Sequence, residues 1–135
     1  MSNSAQDFQR IWSRKLARLK RLQKRLPKIV GNEAVLFFDE QYKKQQTPDG
    51  KEWQARKDGD TSRSLLVKSG RLRKSIRISK VTDYSVTIGS DVSYGKYHND
   101  GTEKMPQRKF LGNSKILIRR LKRLVAAKII REMRK

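Results

Sequence analysis

The chain has 135 residues, no cysteine, one histidine, and 34 Lys+Arg against 13 Asp+Glu, for a formal charge of +21. A chain of this length buries roughly two-thirds of the surface that its unfolded form exposes, so a core can form without disulfides or structural metal. The lack of cysteine excludes a disulfide framework and thiolate-held zinc or iron–sulfur sites. No apolar run approaches the ~18 residues of a membrane span. The first residues lack the charged, apolar and small-residue succession of a signal peptide. The expectation is one soluble domain over residues 1–135, made in the cytoplasm, with no membrane partner.

The charge is unevenly placed. Residues 1–30 hold nine basic and one acidic residue, 31–105 hold fourteen and eleven, and 106–135 hold eleven and one. The middle is balanced like an ordinary globular surface, whereas the two ends are where a polyanion or an acidic partner is felt first.

In chain order, Phe8, Ile11, Trp12, Leu16, Leu19, Leu22 and Leu26 recur at spacings of three and four with arginines between them. This pattern predicts a basic amphipathic helix over 5–26. Pro27 should end or kink it, because proline lacks an N–H and crowds the preceding turn. A second helix is expected beyond Pro27, ending near Gln45. Residues 46–64 are polar and contain Pro48-Asp49-Gly50 and Asp58-Gly59-Asp60, which predict a long loop. Trp53 within it implies something to pack against. Ile76, Ile78, Val86 and Ile88 follow a two-residue period, predicting a hairpin that turns at Thr82-Asp83-Tyr84. A third extended piece is expected near Tyr94–His98. The last element, a basic helix over 114–134, has Leu117, Ile118, Leu121, Leu124, Val125, Ile129, Ile130 and Met133 on one face and Asn113 or Ser114 as its cap. The predicted class is α+β: N-terminal helices, a small antiparallel β-sheet and a long C-terminal helix, with the core formed where helices pack on the sheet.

Catalytic constellations are missing. One His and no Cys cannot build the His- or Cys-based triads or the two-His zinc motif. His98-Asn99-Asp100 beside Gly101 reads as a structural or interface histidine rather than a general base, which a second group usually orients. Asp58-Gly59-Asp60 lacks the further ligands of a calcium loop and is explained by turn chemistry. No glycine-rich phosphate loop is present. The chain is therefore expected to be no enzyme, with no cofactor and no metal.

The basic ends raise nucleic-acid binding, with Arg14, Arg18, Arg21, Arg25, Arg119, Arg120 and Arg123 as polyanion-contact candidates. A charged face is also simply the wet side of an amphipathic helix. The aromatic residues form no RNA-recognition pattern, and no DNA-binding motif is recognisable. An anionic membrane is a further possible surface for the C-terminal helix, but core packing explains its stripe more simply.

The middle of the chain carries a string of motifs in fixed order: Phe38-x-x-Gln41, Pro48-Asp49-Gly50-x-x-Trp53, Leu66-Val67-x-Ser69-Gly70-x-Leu72-Arg73-x-Ser75-Ile76, Val86-Thr87-Ile88-Gly89-Ser90, Tyr94-x-x-Tyr97-His98-x-x-Gly101 and Pro106-x-Arg108-x-Phe110-Leu111-Gly112. Over about residues 34–120 this resembles the phage virion morphogenesis family, the tail-completion proteins of Mu-like and related tailed phages. The family often has Pro where Gln107 and Lys109 stand here, and Gln in place of Asn99. The resemblance implies a non-enzymatic assembly protein that completes the tail or joins it to the head. It also implies action as a ring or in a complex with neck or tail proteins, so that the chain would end in the virion neck or tail.

Within these motifs, Trp53, Tyr94, Tyr97 and Phe110 are large anchors of the type that dominates protein–protein interfaces. With His98, Arg108 and Leu111 they are the candidate assembly residues, carried by loop 46–64 and segment 94–112. Two readings of the last group stay open. Arg108 can pair with a carboxylate or phosphate, or Phe110 and Leu111 are core and Arg108 caps a nearby carbonyl or acid. Gly50, Gly70, Gly89 and Gly101 are expected at turns or close backbone approaches. The runner-up reading is a free-standing, non-specific nucleic-acid-binding protein.

Overall fold

The computed structural model describes residues 3–55, 70–103 and 105–135. Its elements are α1 (Ser4–Lys43), α2 (Arg71–Lys74), β1 (Arg77–Val81), β2 (Val86–Gly89), α3 (Gly95–Asp100) and α4 (Lys115–Met133). The class is α+β, as the periodicities predict.

The two expected N-terminal helices are one. α1 runs for 40 residues, about 60 Å at the helical rise, and Pro27 lies inside it. The proline removes one backbone bond and crowds the turn before it, a cost of about 3 kcal/mol. Packing on both sides of it opposes a break: Leu22 and Pro27 itself are buried, as are Gly31, Ala34, Phe37 and Phe38 beyond. Asn3 caps the start, its Oδ1 accepting from the Ala5 N–H at 3.0 Å.

β1 and β2 form an antiparallel pair in which Arg77 faces Gly89 and Val81 faces Val86, with an irregularity between Ile78 and Lys80. The turn is closed where the Thr82 N–H donates to the Ser85 carbonyl at 2.9 Å. A two-stranded sheet is marginal alone, and this one leans on α1 at Gly31. A Cβ there would stand 2.7 Å from both Ile78 Cδ1 and Val86 Cγ2, so the absence of a side chain sets how closely sheet and helix approach.

The third extended piece expected near Tyr94–His98 is instead a helix, α3. Tyr94 and His98 lie one turn apart and meet edge-to-face, with centroids 6.0 Å apart. The helix ends at Gly101, whose φ of 77° suits glycine. The expected C-terminal helix is present as α4, and of the two possible caps Ser114 acts. Its Oγ accepts from the Leu117 N–H at 3.0 Å and donates to the Pro48 carbonyl at 2.6 Å.

The core gathers at the C-terminal end of α1. Tyr42 is fully buried, with Trp53 packed edge-on at 5.0 Å and Phe110 at 5.8 Å. Ala34, Phe37, Phe38, Leu72, Ile76, Val92 and Leu117 complete it. The first half of α1 contributes little to it, contrary to expectation: Phe8 is 64%, Ile11 49% and Leu16 54% exposed.

α4 runs antiparallel along α1, and the two make an arm leading away from this core. Arg120 bridges them: Nε donates to Glu33 at 2.7 Å, and Nη1 and Nη2 donate to the Glu40 carboxylate at 2.8 and 3.2 Å. At the far end Lys15 donates to the Met133 carbonyl, and Arg18 donates to the Lys135 carbonyl at 2.8 Å. Beyond that point, among the described residues, α1 continues alone over residues 4–14, roughly 16 Å at the helical rise.

Two consequences are measurable. Gly31→Leu should overpack the approach to Ile78 and Val86 and lower the unfolding free energy by about 1–3 kcal/mol, read as a lower urea midpoint; an unchanged midpoint would show that the sheet yields freely. Arg120 holds the Glu40 carboxyl below its ordinary value, chiefly through their hydrogen bonds. The pair's stabilisation is therefore complete above the unfolded value near 4.5 and is lost as pH falls through the lowered native value. Arg120→Met should cost about 1–2 kcal/mol at neutral pH, since the groups are partly solvated, and the difference from the parent should shrink in acid.

Candidate assembly surface

The motif-bearing middle is tied together by backbone groups and a few side chains. Residues 45–53 form a tight excursion: the Thr47 N–H donates to the Lys51 carbonyl at 2.7 Å, the Trp53 N–H to the Gln45 carbonyl at 2.8 Å, and Gly50 takes a φ of 88°. Gln41, buried on α1, anchors it by donating Nε2 to the Thr47 carbonyl at 3.0 Å. The rest of the expected loop, residues 56–64, lies outside the described residues, as do Asp58-Gly59-Asp60 and the Leu66-Val67-x-Ser69 part of the motif string.

The segment after α3 folds back over this excursion. The Arg108 N–H donates to the His98 carbonyl at 2.8 Å. Asn99 Oδ1 accepts from both the Phe110 and Leu111 N–H groups at 3.0 Å, while Gln107 Nε2 donates to the Asn99 carbonyl at 3.0 Å. Across the two segments, Trp53 Nε1 donates to the Lys109 carbonyl at 2.8 Å and Arg108 Nε to the Gln54 carbonyl at 3.0 Å.

This arrangement separates the candidates. Trp53 and Phe110 are buried in the core of the chain, Leu111 is partly buried against it, and Arg108 binds a carbonyl. Phe110 and Leu111 thus belong to the core or pack against it, while the bond from Arg108 Nε to the Gln54 carbonyl leaves its pairing with an acid or phosphate open. Tyr97 on α3 is 56% exposed, whereas Tyr94, just before α3, is 37% exposed and has its ring against His98. His98 is half-buried, and its Nδ1 has no hydrogen-bond partner among the described residues. Burial, and after it the charge of Arg108, lowers its pKa, favouring the neutral ring. Beside α3 a shallow depression of about 410 Å³ is lined by Ser90, Asp91, Lys96, Asn99 and Asp100. Among the glycines, Gly70 precedes α2 with a φ of 69°, and Gly89 is not in a turn but pairs with Arg77 within β2.

The polyanion candidates also divide. Arg120 is engaged with two carboxylates, Arg18 with the last carbonyl, and Arg25 lies 3.8 Å from Glu132. Arg14, Arg21, Arg119 and Arg123 are exposed. Among the described residues, no three His, Asp or Glu side chains gather as a metal site, and no helix is long and apolar enough to cross a membrane. The surface that sequence reasoning misses is the apolar side of the arm. Its signal is present in the helical spacing, but the spacing does not say whether anything covers that side.

Comparison with known proteins agrees with the motif string. No solved structure matches. The Mu-like prophage FluMu G protein 1 of Haemophilus influenzae is 32% identical over 97 residues, covering 64% of this chain and 63% of that protein. The chain thus aligns with less than two-thirds of that relative's length. The sequence model of the phage virion morphogenesis family matches residues 4–129, from the first turn of α1 almost to the end of α4, and the chain belongs to that family.

Proposed function

We propose that the chain is a non-enzymatic structural protein that completes the phage tail or joins it to the head, acting as a homo-oligomeric ring with neck or tail proteins. The observation that carries this reading is the family match across both the core and the arm. The geometry supports it. Tyr42, Trp53 and Phe110 serve rigidity by fixing two loops to α1, while Tyr97 is largely exposed and Tyr94 partly so. A rigid body with exposed tyrosines and a long basic arm suits docking between subunits. In this reading the protein is made in the bacterial cytoplasm and ends in the neck or tail of the particle.

A second reading, non-specific contact with DNA or another polyanion, is favoured by the exposed Arg14, Arg21, Arg119 and Arg123 along the arm.

In a phage carrying this gene, deletion should yield filled heads and tails that fail to join, seen by electron microscopy and repaired when the gene is supplied in trans; normal joined particles would refute the assembly reading. For the second reading, duplex affinity should fall steeply with salt. Replacing the four exposed arginines by alanine should flatten that dependence by roughly one unit of slope for each phosphate that is no longer neutralised. A slope that the four substitutions leave unchanged counts against it.

A further inference from the structure

Between α1 and α4 the arm carries an open groove of about 480 Å³, with Val30 on one side and Ile118, Leu121, Val125, Ala126 and Ile129 on the other. Its walls are almost wholly carbon, with Lys122 at the edge. Ile118 is 50% and Ile129 38% exposed. Steps of seven and four place Trp12, Leu19, Leu26 and Val30 on one side of α1, so the apolar strip continues from the groove for about 27 Å toward the start of the helix.

Cations dominate the rim, the acids nearest to it on α1, Glu33 and Glu40, being paired with Arg120. Residues 8–30 contain nine Lys or Arg and residues 115–131 contain seven, and neither stretch holds an Asp or Glu. At the arm's end, Asp7 is paired with Arg10, and Glu132 with Lys135 and Arg25. Helical spacing sets Lys115 and Arg119 beside Lys122 on the outer flank of α4, and Lys20 and Lys24 on the outer flank of α1.

We infer that this groove receives an acidic amphipathic helix from a partner protein of the particle, its apolar side against Val30, Leu121 and Val125 and its carboxylates against the lysine and arginine rims. The inference rests on the assembly reading and names the chemistry of the partner. A concave strip with anchors at helical spacing fits a helix laid into a groove, and the excess of unpaired cations along its rim selects the charge of that helix. A second copy of the chain would bring one set of cations against another. A duplex finds no hydrogen-bond donors on carbon walls, and a flat lipid surface meets the ridges rather than the hollow between them.

The test uses the full chain and a fluorescent synthetic helix with leucines on one face and glutamates on its flanks. Controls are the same helix with lysine for glutamate, a scrambled sequence, and phosphatidylglycerol vesicles. The acidic helix should bind in the micromolar range and the two control peptides should not. Ile118→Ser with Ile129→Ser should weaken binding about tenfold, as expected when apolar side chains no longer leave water on binding. Lys122→Glu, at an exposed rim position that leaves the fold untouched, should weaken it severalfold. Circular dichroism checks that each variant is folded.

Absence of binding, equal binding of the scrambled peptide, or indifference to all three substitutions overturns the inference. So does vesicle binding that these substitutions abolish, which assigns the face to a membrane. Concentration-dependent self-association that they abolish likewise overturns it, by assigning the face to a second copy. Complementation of the gene deletion separates the two levels. If the Ile118→Ser/Ile129→Ser protein restores joined particles fully, the groove has no part in assembly although the assembly role stands. If deletion itself leaves particles intact, the assembly role fails first.

Discussion

Tyr42 sits at the end of a 40-residue helix with no exposed surface, and two other aromatic rings close on it from elsewhere in the sequence. Everything on the motif-bearing side depends on that packing. Trp53 brings residues 45–53 back to the helix and uses its indole N–H to hold Lys109. Phe110, next to that residue, brings in the segment after α3. Burial of three aromatic side chains is the largest local source of apolar stabilisation available, and three polar side chains around it are satisfied: Gln41 by Thr47, Asn99 by two backbone N–H groups, Ser114 by Pro48 and Leu117. The result is that segments with little regular structure are fixed relative to one rod.

The rod itself is held by different physics. Along the arm the burial is thin, and ionic and terminal hydrogen bonds align the helices instead. Arg120 ties α4 to two carboxylates on α1, and Lys15 and Arg18 take up carbonyls that the last turn of α4 cannot satisfy within the helix. The same residue type therefore plays two parts in one helix. Arg119 and Arg120 are neighbours in sequence but about 100° apart around the axis, so one meets solvent and the other meets Glu33 and Glu40.

Much of this fold is legible in the sequence, and what is not has physical causes. The strand period of Ile76–Ile88 and the Ser114-capped helix can be read directly, because each repeats a local rule several times. Pro27 misleads because the local rule predicts a break and only tertiary packing on both sides of it overrides the rule. Tyr94–His98 misleads because so short a segment fits an extended and a helical period alike, and the glycine that ends the helix lies just beyond it. At the candidate site, residue type marks Trp53, Tyr94, Tyr97 and Phe110 alike as anchors. Whether an anchor faces inward or outward is decided by segments distant in the chain, as where Trp53 meets Lys109. At the departures from the family pattern, the Asn99 side chain holds the Phe110 and Leu111 N–H groups, and the Gln107 amide donates to the main-chain carbonyl of residue 99.

Because α4 returns along α1, the two basic ends of the chain are not at opposite poles but share the arm, while the described part of the nearly neutral middle gathers at the core. That gives the molecule a charge asymmetry along its long axis. In the field of an acidic surface such a body experiences a torque before it touches anything, and it arrives arm first. Collisions that would otherwise be wasted in the wrong orientation become productive, so the asymmetry acts on the speed and polarity of encounter more than on the strength of the finished joint.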